Sequence, residues 1–124
     1  MNELHKEWLK AAHDDIVLIE AIEGNEQITH LLAFHAQQAV EKSFKAFLEY
    51  KNENVPKLHS LSKLSNILKD DIEIQDFQTL ELLDKLYIDS RYPNELGLLP
   101  YGKPTIDDAK SFYDLAVKIH KQIT

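Results

Sequence analysis

Hydrophobic residues recur at three- and four-residue spacing over most of the chain, and this spacing predicts helices. The first helix is predicted over residues 2–23, where Gly24 and Asn25 then supply a helix stop and a turn. The second is predicted over residues 26–50, with an apolar arc of roughly 200° around its axis. An arc that wide is typical of a helix with several neighbours, so we expect this segment at the centre of a bundle.

A short helix and a longer one are predicted after a polar linker. The short helix follows Ser60, which is its predicted N-cap, and carries leucines on one face. The longer helix is predicted over residues 76–90 from its apolar periodicity. Pro93 disfavours a helical conformation at the residue before it, so this helix is expected to end near Arg91.

The last helix is separated from the rest by a long loop, residues 93–104, whose length makes it a candidate for function. Thr105 and Asp108 form a capping-box pattern that opens the helix. No segment shows the alternation of a strand. The predicted fold is therefore all-α: residues 1–124 form one domain, an antiparallel up-down helical bundle of four longer helices and one short helix.

The composition narrows the class of protein. The chain has no cysteine, which excludes disulfides and thiolate metal sites and favours a reducing, cytoplasmic compartment. Its net charge of -7 repels nucleic-acid backbones and argues against broad, salt-driven binding, although one local basic pocket remains compatible with it. The longest uncharged run, residues 27–40, is too short and too polar to span a bilayer.

The familiar catalytic and metal-binding patterns are missing from the sequence. Six histidines are present, but no two have the i, i+4 spacing of a helical metal site, so we expect neither metal nor cofactor. There is no nucleophile elbow, and no Ser-x-x-Lys motif appears with its companions. Adjacent acids such as Asp14 and Asp15 are interpreted as helix caps or solubilising residues.

Two groups of polar residues remain as candidates. One is a narrow polar stripe along the second helix, formed by His35, Gln38, Lys42, Lys45 and Glu49. A solvent-exposed face with i, i+4 charge pairs explains these residues equally well. The other surrounds Arg91, the only arginine, with Tyr87 one turn before it and Tyr92 directly after it. A guanidinium offers a rigid fork of donors and stacks on aromatic rings, so Arg91 indicates either an anion site or a clamp at a helix end. Asp84 is a distant candidate for its ion-pair partner.

Four stretches, in this order along the chain, resemble the HEPN domain family (higher eukaryotes and prokaryotes nucleotide-binding). They are "LAFHAQQAVEKSFKAFLEY", "LHSLSKL", "LDKLYIDSRYPNE" and "TIDDAKSFYDLAVKI". The resemblance extends from Trp8 in the first helix into the last helix. Each fragment alone is weak, but four in the family's order and spacing make a fairly specific match.

The resemblance implies a small helical bundle that commonly dimerises and a function tied to nucleotides or RNA. Members of the family often pair with a separate minimal nucleotidyltransferase in toxin–antitoxin-like operons, and several are metal-independent ribonucleases. Those ribonucleases carry an Arg-x4-6-His motif. Arg91 is similar to its arginine, but the next histidine is His120, so no catalytic role carries over.

Three hypotheses follow. The first is a prokaryotic, dimeric HEPN-like module without a catalytic site, which contacts a nucleotide, RNA or a partner nucleotidyltransferase through Arg91, Tyr87, Tyr92, Lys45 and His35. The second is a metal-independent ribonuclease whose general base is a non-standard histidine, His35 or His59. The third is a structural protein of an oligomer or a toxin–antitoxin pair, in which the cluster around Arg91 only holds an interface.

Overall fold

The structure is a computed structural model that describes residues 3–89 and 103–124. The described residues form five α-helices and one 3-10 turn, and they contain no strand. In chain order these are α1 (Leu4–Ile22), the 3-10 turn (Glu26–Ile28), α2 (Thr29–Tyr50), α3 (Leu61–Ile67), α4 (Phe77–Asp89) and α5 (Ile106–Ile123). The all-helical class is therefore confirmed. The antiparallel up-down order of the helices stays a prediction.

Helix α2 contacts each of the other four α-helices, as its wide apolar arc predicts. Its fully buried side chains include Leu32, Val40, Phe44 and Leu48, and they pack in one cluster with leucines of α3 and α4. Burial of so many large apolar groups along one helix makes α2 the element around which the core is built. None of the helices in the described part has the length and apolar character needed to cross a membrane.

The predicted caps are confirmed where the structure describes them. The Ser60 hydroxyl accepts a hydrogen bond from the Lys63 N–H at the start of α3, 3.3 Å. Thr105 and Asp108 form the complete capping box of α5, because each side chain accepts from the backbone N–H of the other. These bonds satisfy donors that the first turn of a helix leaves without partners.

The start of the second helix differs from its prediction. Asn25 caps a 3-10 turn by accepting from the Gln27 N–H at 3.0 Å, and the α-helix begins only at Thr29. The chain reaches this turn through Gly24, whose φ of 86° lies in the left-handed region that glycine adopts without strain. The tight turn uses the first residues of the predicted helix, which therefore starts three residues later.

Helix α5 is fastened at two places along its length. The Tyr113 hydroxyl donates to the Glu20 carboxylate of α1 at 2.6 Å, and this hydrogen bond raises the pKa of Tyr113 to about 12. Near the end of α5, the Gln122 amide bonds both backbone groups of Glu73, which precedes α4. These contacts hold α5 against both the start and the middle of the chain.

Candidate functional site

The residues around the single arginine fall largely beyond what the structure describes. Arg91 and Tyr92 lie outside the described residues, and so does the side chain of Tyr87, whose backbone belongs to the last turn of α4. The described candidates are therefore His35 and Lys45, both on α2.

Lys45 is buried, which contradicts its interpretation as part of a solvated face. Its ammonium lies 3.0 Å from the Glu41 carboxylate, and the two side chains are only 8% and 7% exposed. Trp8 of α1 covers the lysine, with Nζ 5.7 Å from the ring centroid. Glu41 and Lys45 do form the i, i+4 ion pair that the sequence predicts, but tertiary contacts enclose it. Water therefore screens the attraction between the two charges only weakly.

Glu41 is the centre of a larger polar cluster, which we call the Glu41 network and define as Gln37, Gln38, Glu41, Lys45 and His59. Gln37 donates to Glu41 at 3.1 Å and to the His59 carbonyl at 3.1 Å, while it accepts from Gln38 at 2.7 Å. His59 Nδ1 lies 3.3 Å from Oε2 of Glu41. Because the Glu41 carboxylate faces an ammonium, an amide and an imidazole, its burial is compensated by three polar partners.

The imidazole of His59 is the part of the Glu41 network that reaches the surface. Its side chain is 50% exposed, whereas Gln37, Glu41 and Lys45 are buried. A carboxylate that accepts from Nδ1–H fixes the tautomer and the orientation of the ring. The arrangement presents an oriented imidazole at the edge of a buried ionic pair.

A buried carboxylate on α4 holds the chain next to His59 in place. Asp84 accepts from the Ser60 hydroxyl at 3.0 Å and from the backbone N–H groups of Leu61 and Ser62 at 2.7 and 3.2 Å. The sequence suggested Asp84 as a distant partner of Arg91, but in the described part its carboxylate caps α3. The residue after His59 is thereby tied to the helix that Arg91 follows in the chain.

His35 belongs to a different cluster, which we call the Asp15 cluster and define as Asp15, His35 and Lys42. One carboxylate oxygen of Asp15 lies 2.9 Å from His35 Nδ1 and the other lies 2.8 Å from Lys42 Nζ. The interpretation of Asp15 as a cap or a solubilising residue was wrong, because this α1 residue is buried against α2. The predicted polar stripe is thus divided: His35 and Lys42 bind α1, while Lys45 binds within the Glu41 network.

Two members of the Glu41 network were missed as candidates, Gln37 and Glu41. A signal was present, because Gln37, Glu41 and Lys45 follow one another at i, i+4 spacing and so share one face of α2. Within the described ranges, no three His, Asp or Glu side chains converge as ligands of a metal ion would. The chemistry of the cluster is that of an oriented imidazole, a carboxylate and an ammonium.

Comparisons with known proteins agree with this helical architecture. The family model described as HEPN domain matches residues 5–123. The crystal structure of the protein TT1696 from Thermus thermophilus is similar to the chain with a TM-score of 0.76 at 27% sequence identity. The similarity covers 99% of this chain and 97% of the Thermus chain. The comparison with curated proteins found no match.

Proposed function

The chain belongs to the HEPN domain family, whose model matches nearly its whole length, and we propose that it is a module that binds a nucleotide or RNA. In this proposal it acts in a prokaryotic cytoplasm as a homodimer of up-down bundles. Its partner is a minimal nucleotidyltransferase, in a toxin–antitoxin-like pair. It has no cofactor and is not itself an enzyme.

The observation that carries the proposal is the position of the half-exposed His59 between a buried ionic pair and the helix that leads to Arg91. Glu41 orients the imidazole, and Asp84 ties the adjacent Ser60 to α4. In the chain, Arg91 comes two residues after the end of α4. A guanidinium there can bind a phosphate through paired charge-assisted hydrogen bonds, and Tyr87 and Tyr92 supply rings on which a base can stack.

The burial of Lys45 changes the role that it has in this proposal. An ammonium that is 8% exposed and bound to Glu41 supports the carboxylate instead of contacting the ligand. His35 is likewise bound to Asp15, in the separate cluster. Direct contacts are therefore assigned to Arg91, with Lys45 acting through Glu41. A single local cationic group also agrees with the net charge of -7, which opposes extended binding to nucleic acid.

Nucleotide binding is tested by thermal denaturation in the presence of ATP and other nucleotides. We expect wild type to be stabilised at millimolar nucleotide, since a ligand that binds only the native state raises its stability. Arg91→Ala is expected to lose this stabilisation, because the phosphate loses its fork of donors. Lys110→Ala, which removes an exposed lysine of α5, serves as the matched control and keeps the shift. Absence of any shift in wild type would remove the nucleotide from the proposal.

A second candidate function, metal-independent ribonuclease, is favoured by the contact between His59 and Glu41. An oriented imidazole can accept the proton of the RNA 2'-hydroxyl, which the missing Arg-x4-6-His histidine would otherwise do. The assay uses EDTA-treated protein with RNA, and compares wild type with His59→Gln, His35→Gln and Arg91→Ala. Cleavage lost in His59→Gln and Arg91→Ala but kept in His35→Gln supports this function. RNA that stays intact with wild-type protein contradicts it.

A further inference from the structure

A groove runs between the segment before α4 and the C-terminal half of α5, away from the Glu41 network. It encloses about 490 Å³, which lies in the range of pockets that bind small molecules. Its floor is aliphatic and consists of Ile74, Leu115 and Ile119, of which the last two are buried. The groove therefore offers apolar surface to a ligand, and no side chain of the described residues occupies its volume.

The two walls of the groove are fixed to each other by one side chain. The Gln122 amide accepts from the Glu73 N–H at 2.9 Å and donates to the Glu73 carbonyl at 2.7 Å. This pair of hydrogen bonds has the pattern of backbone pairing and links the two sides of the groove. The pocket is consequently preformed, and a ligand need not order the segment on binding.

The charged residues around the groove are of both signs, three acids and two lysines. Asp76 is already engaged, since its carboxylate accepts from the Thr79 N–H at 3.1 Å and from the Thr79 hydroxyl at 2.6 Å. The remaining charged side chains are two acids and two bases, Glu73, Asp114, Lys118 and Lys121. Within the described part of the chain, none of these four forms an ion pair, although Asp114 and Lys118 have i, i+4 spacing.

We propose that this groove binds a zwitterionic molecule with an aliphatic body, of about the size of a dipeptide. The aliphatic body would lie on the half-buried Ile74, the ammonium group against the acids and the carboxylate against the lysines. An ion of one sign alone would meet like charges on the rim as well as opposite ones, whereas a zwitterion meets a partner for each of its charges. The proposal is independent of nucleotide binding, because it involves neither Arg91 nor His59.

The test is a titration of the full chain with the dipeptide Leu-Leu, in which binding is monitored through the backbone amide chemical shifts in NMR spectra. We expect shifts confined to residues 73–76 and 111–122 at millimolar dipeptide. N-acetyl-Leu-Leu lacks the ammonium and Leu-Leu-amide lacks the carboxylate, so each is expected to bind more weakly than the free dipeptide. Equal binding of the blocked peptides, or no shifts with Leu-Leu, overturns the proposal.

Variants at exposed rim positions test the charges without disturbing the core. Asp114→Asn and Lys118→Gln are each expected to weaken binding of Leu-Leu by about two- to fivefold, as exposed ion pairs allow. Lys110→Gln, on α5 but outside the groove, is the matched control and should bind like wild type. Unchanged affinity in both rim variants would contradict recognition by charge.

Discussion

At the scale of single residues, the ionic pair of Glu41 and Lys45 sets the character of the site. Two charges that are almost fully buried cost solvation energy, which is recovered only when every polar partner is in place. Here the carboxylate has the ammonium at 3.0 Å, the Gln37 amide and the His59 imidazole. The pair therefore contributes little net stability, but the Glu41 carboxylate that it holds in place orients the His59 ring.

Removal of one partner of this pair is predicted to be strongly destabilising. Glu41→Ala leaves the Lys45 ammonium buried without a carboxylate, and we expect a loss of about 3–5 kcal/mol in the free energy of unfolding. The double variant Glu41→Leu/Lys45→Met buries no charge and should regain most of that loss. Urea denaturation measures both. A cost below about 1 kcal/mol for Glu41→Ala, the value typical of exposed pairs, would contradict the burial of this pair.

At the scale of elements, α3 depends on a side chain from another helix. Helix α3 has only 7 residues, and helices this short are not stable alone in water. Its N-terminus receives caps from within, by Ser60, and from α4, by Asp84. Because His59 directly precedes this cap, the position of the imidazole depends on the docking of α4 against α3.

Loss of the Asp84 carboxylate is predicted to loosen α3 before the rest of the bundle. Asp84→Ala removes three hydrogen bonds to a charged acceptor, and we expect a cost of about 2–3 kcal/mol. In Asp84→Ala, amide hydrogen exchange should become faster than in wild type at α3 amides such as Leu64, and this increase should be larger in α3 than in α2. Ser60→Ala removes the internal cap and one of the three Asp84 contacts but keeps both backbone bonds to Asp84, so it is the milder comparison, at about 1 kcal/mol. Equal protection of α3 in wild type and Asp84→Ala would show that packing alone holds this helix.

At the scale of the whole molecule, α2 organises both the core and the polar clusters. It packs against the other four helices, and it contributes His35 and Lys42 to the Asp15 cluster and Gln37, Gln38, Glu41 and Lys45 to the Glu41 network. The first and last helices, α1 and α5, contact each other, and the ring centroids of His13 and His120 lie 6.2 Å apart there.

Stability is predicted to fall as the pH drops below the ordinary histidine value of 6.5. Burial, and to a lesser degree the neighbouring His13, lower the pKa of His120, and burial also lowers the pKa of His30. The unfolded chain therefore binds protons that the native state does not accept, so acidification favours unfolding between 6.5 and the lower native pKa. Above the ordinary value both states are neutral at these residues, and the contribution is fully present.

The measurement is the free energy of unfolding at about pH 7.5 and about pH 5.5, for wild type and His120→Gln. The variant cannot titrate at this position and should lose less stability on acidification than wild type does. His5→Gln replaces a histidine whose ring packs against Tyr50, outside the His13–His120 contact, so it is the matched control and should keep the wild-type dependence. An identical pH dependence in all three proteins would exclude His120 as its source.

The sequence by itself determined the elements of this protein. Helix periodicity, the Asn25 turn and the caps at Ser60 and Thr105 are all predictable, because each depends on residues within four positions of one another. The width of the apolar arc also predicted that α2 is central. The resemblance in four ordered stretches identified the family that the comparison then showed.

Only the tertiary structure decided which polar residues are buried and what they contact. Lys45 and Asp15 look solvated in the sequence, yet α1 and α2 enclose them when the two helices pack. The contact of Glu41 with His59 and that of Asp84 with Ser60 join residues 18 and 24 positions apart. Helical periodicity defines the face on which a side chain lies, but the neighbour that meets this face depends on packing of the whole chain. For this reason the helices were predictable and the partners within the site were not.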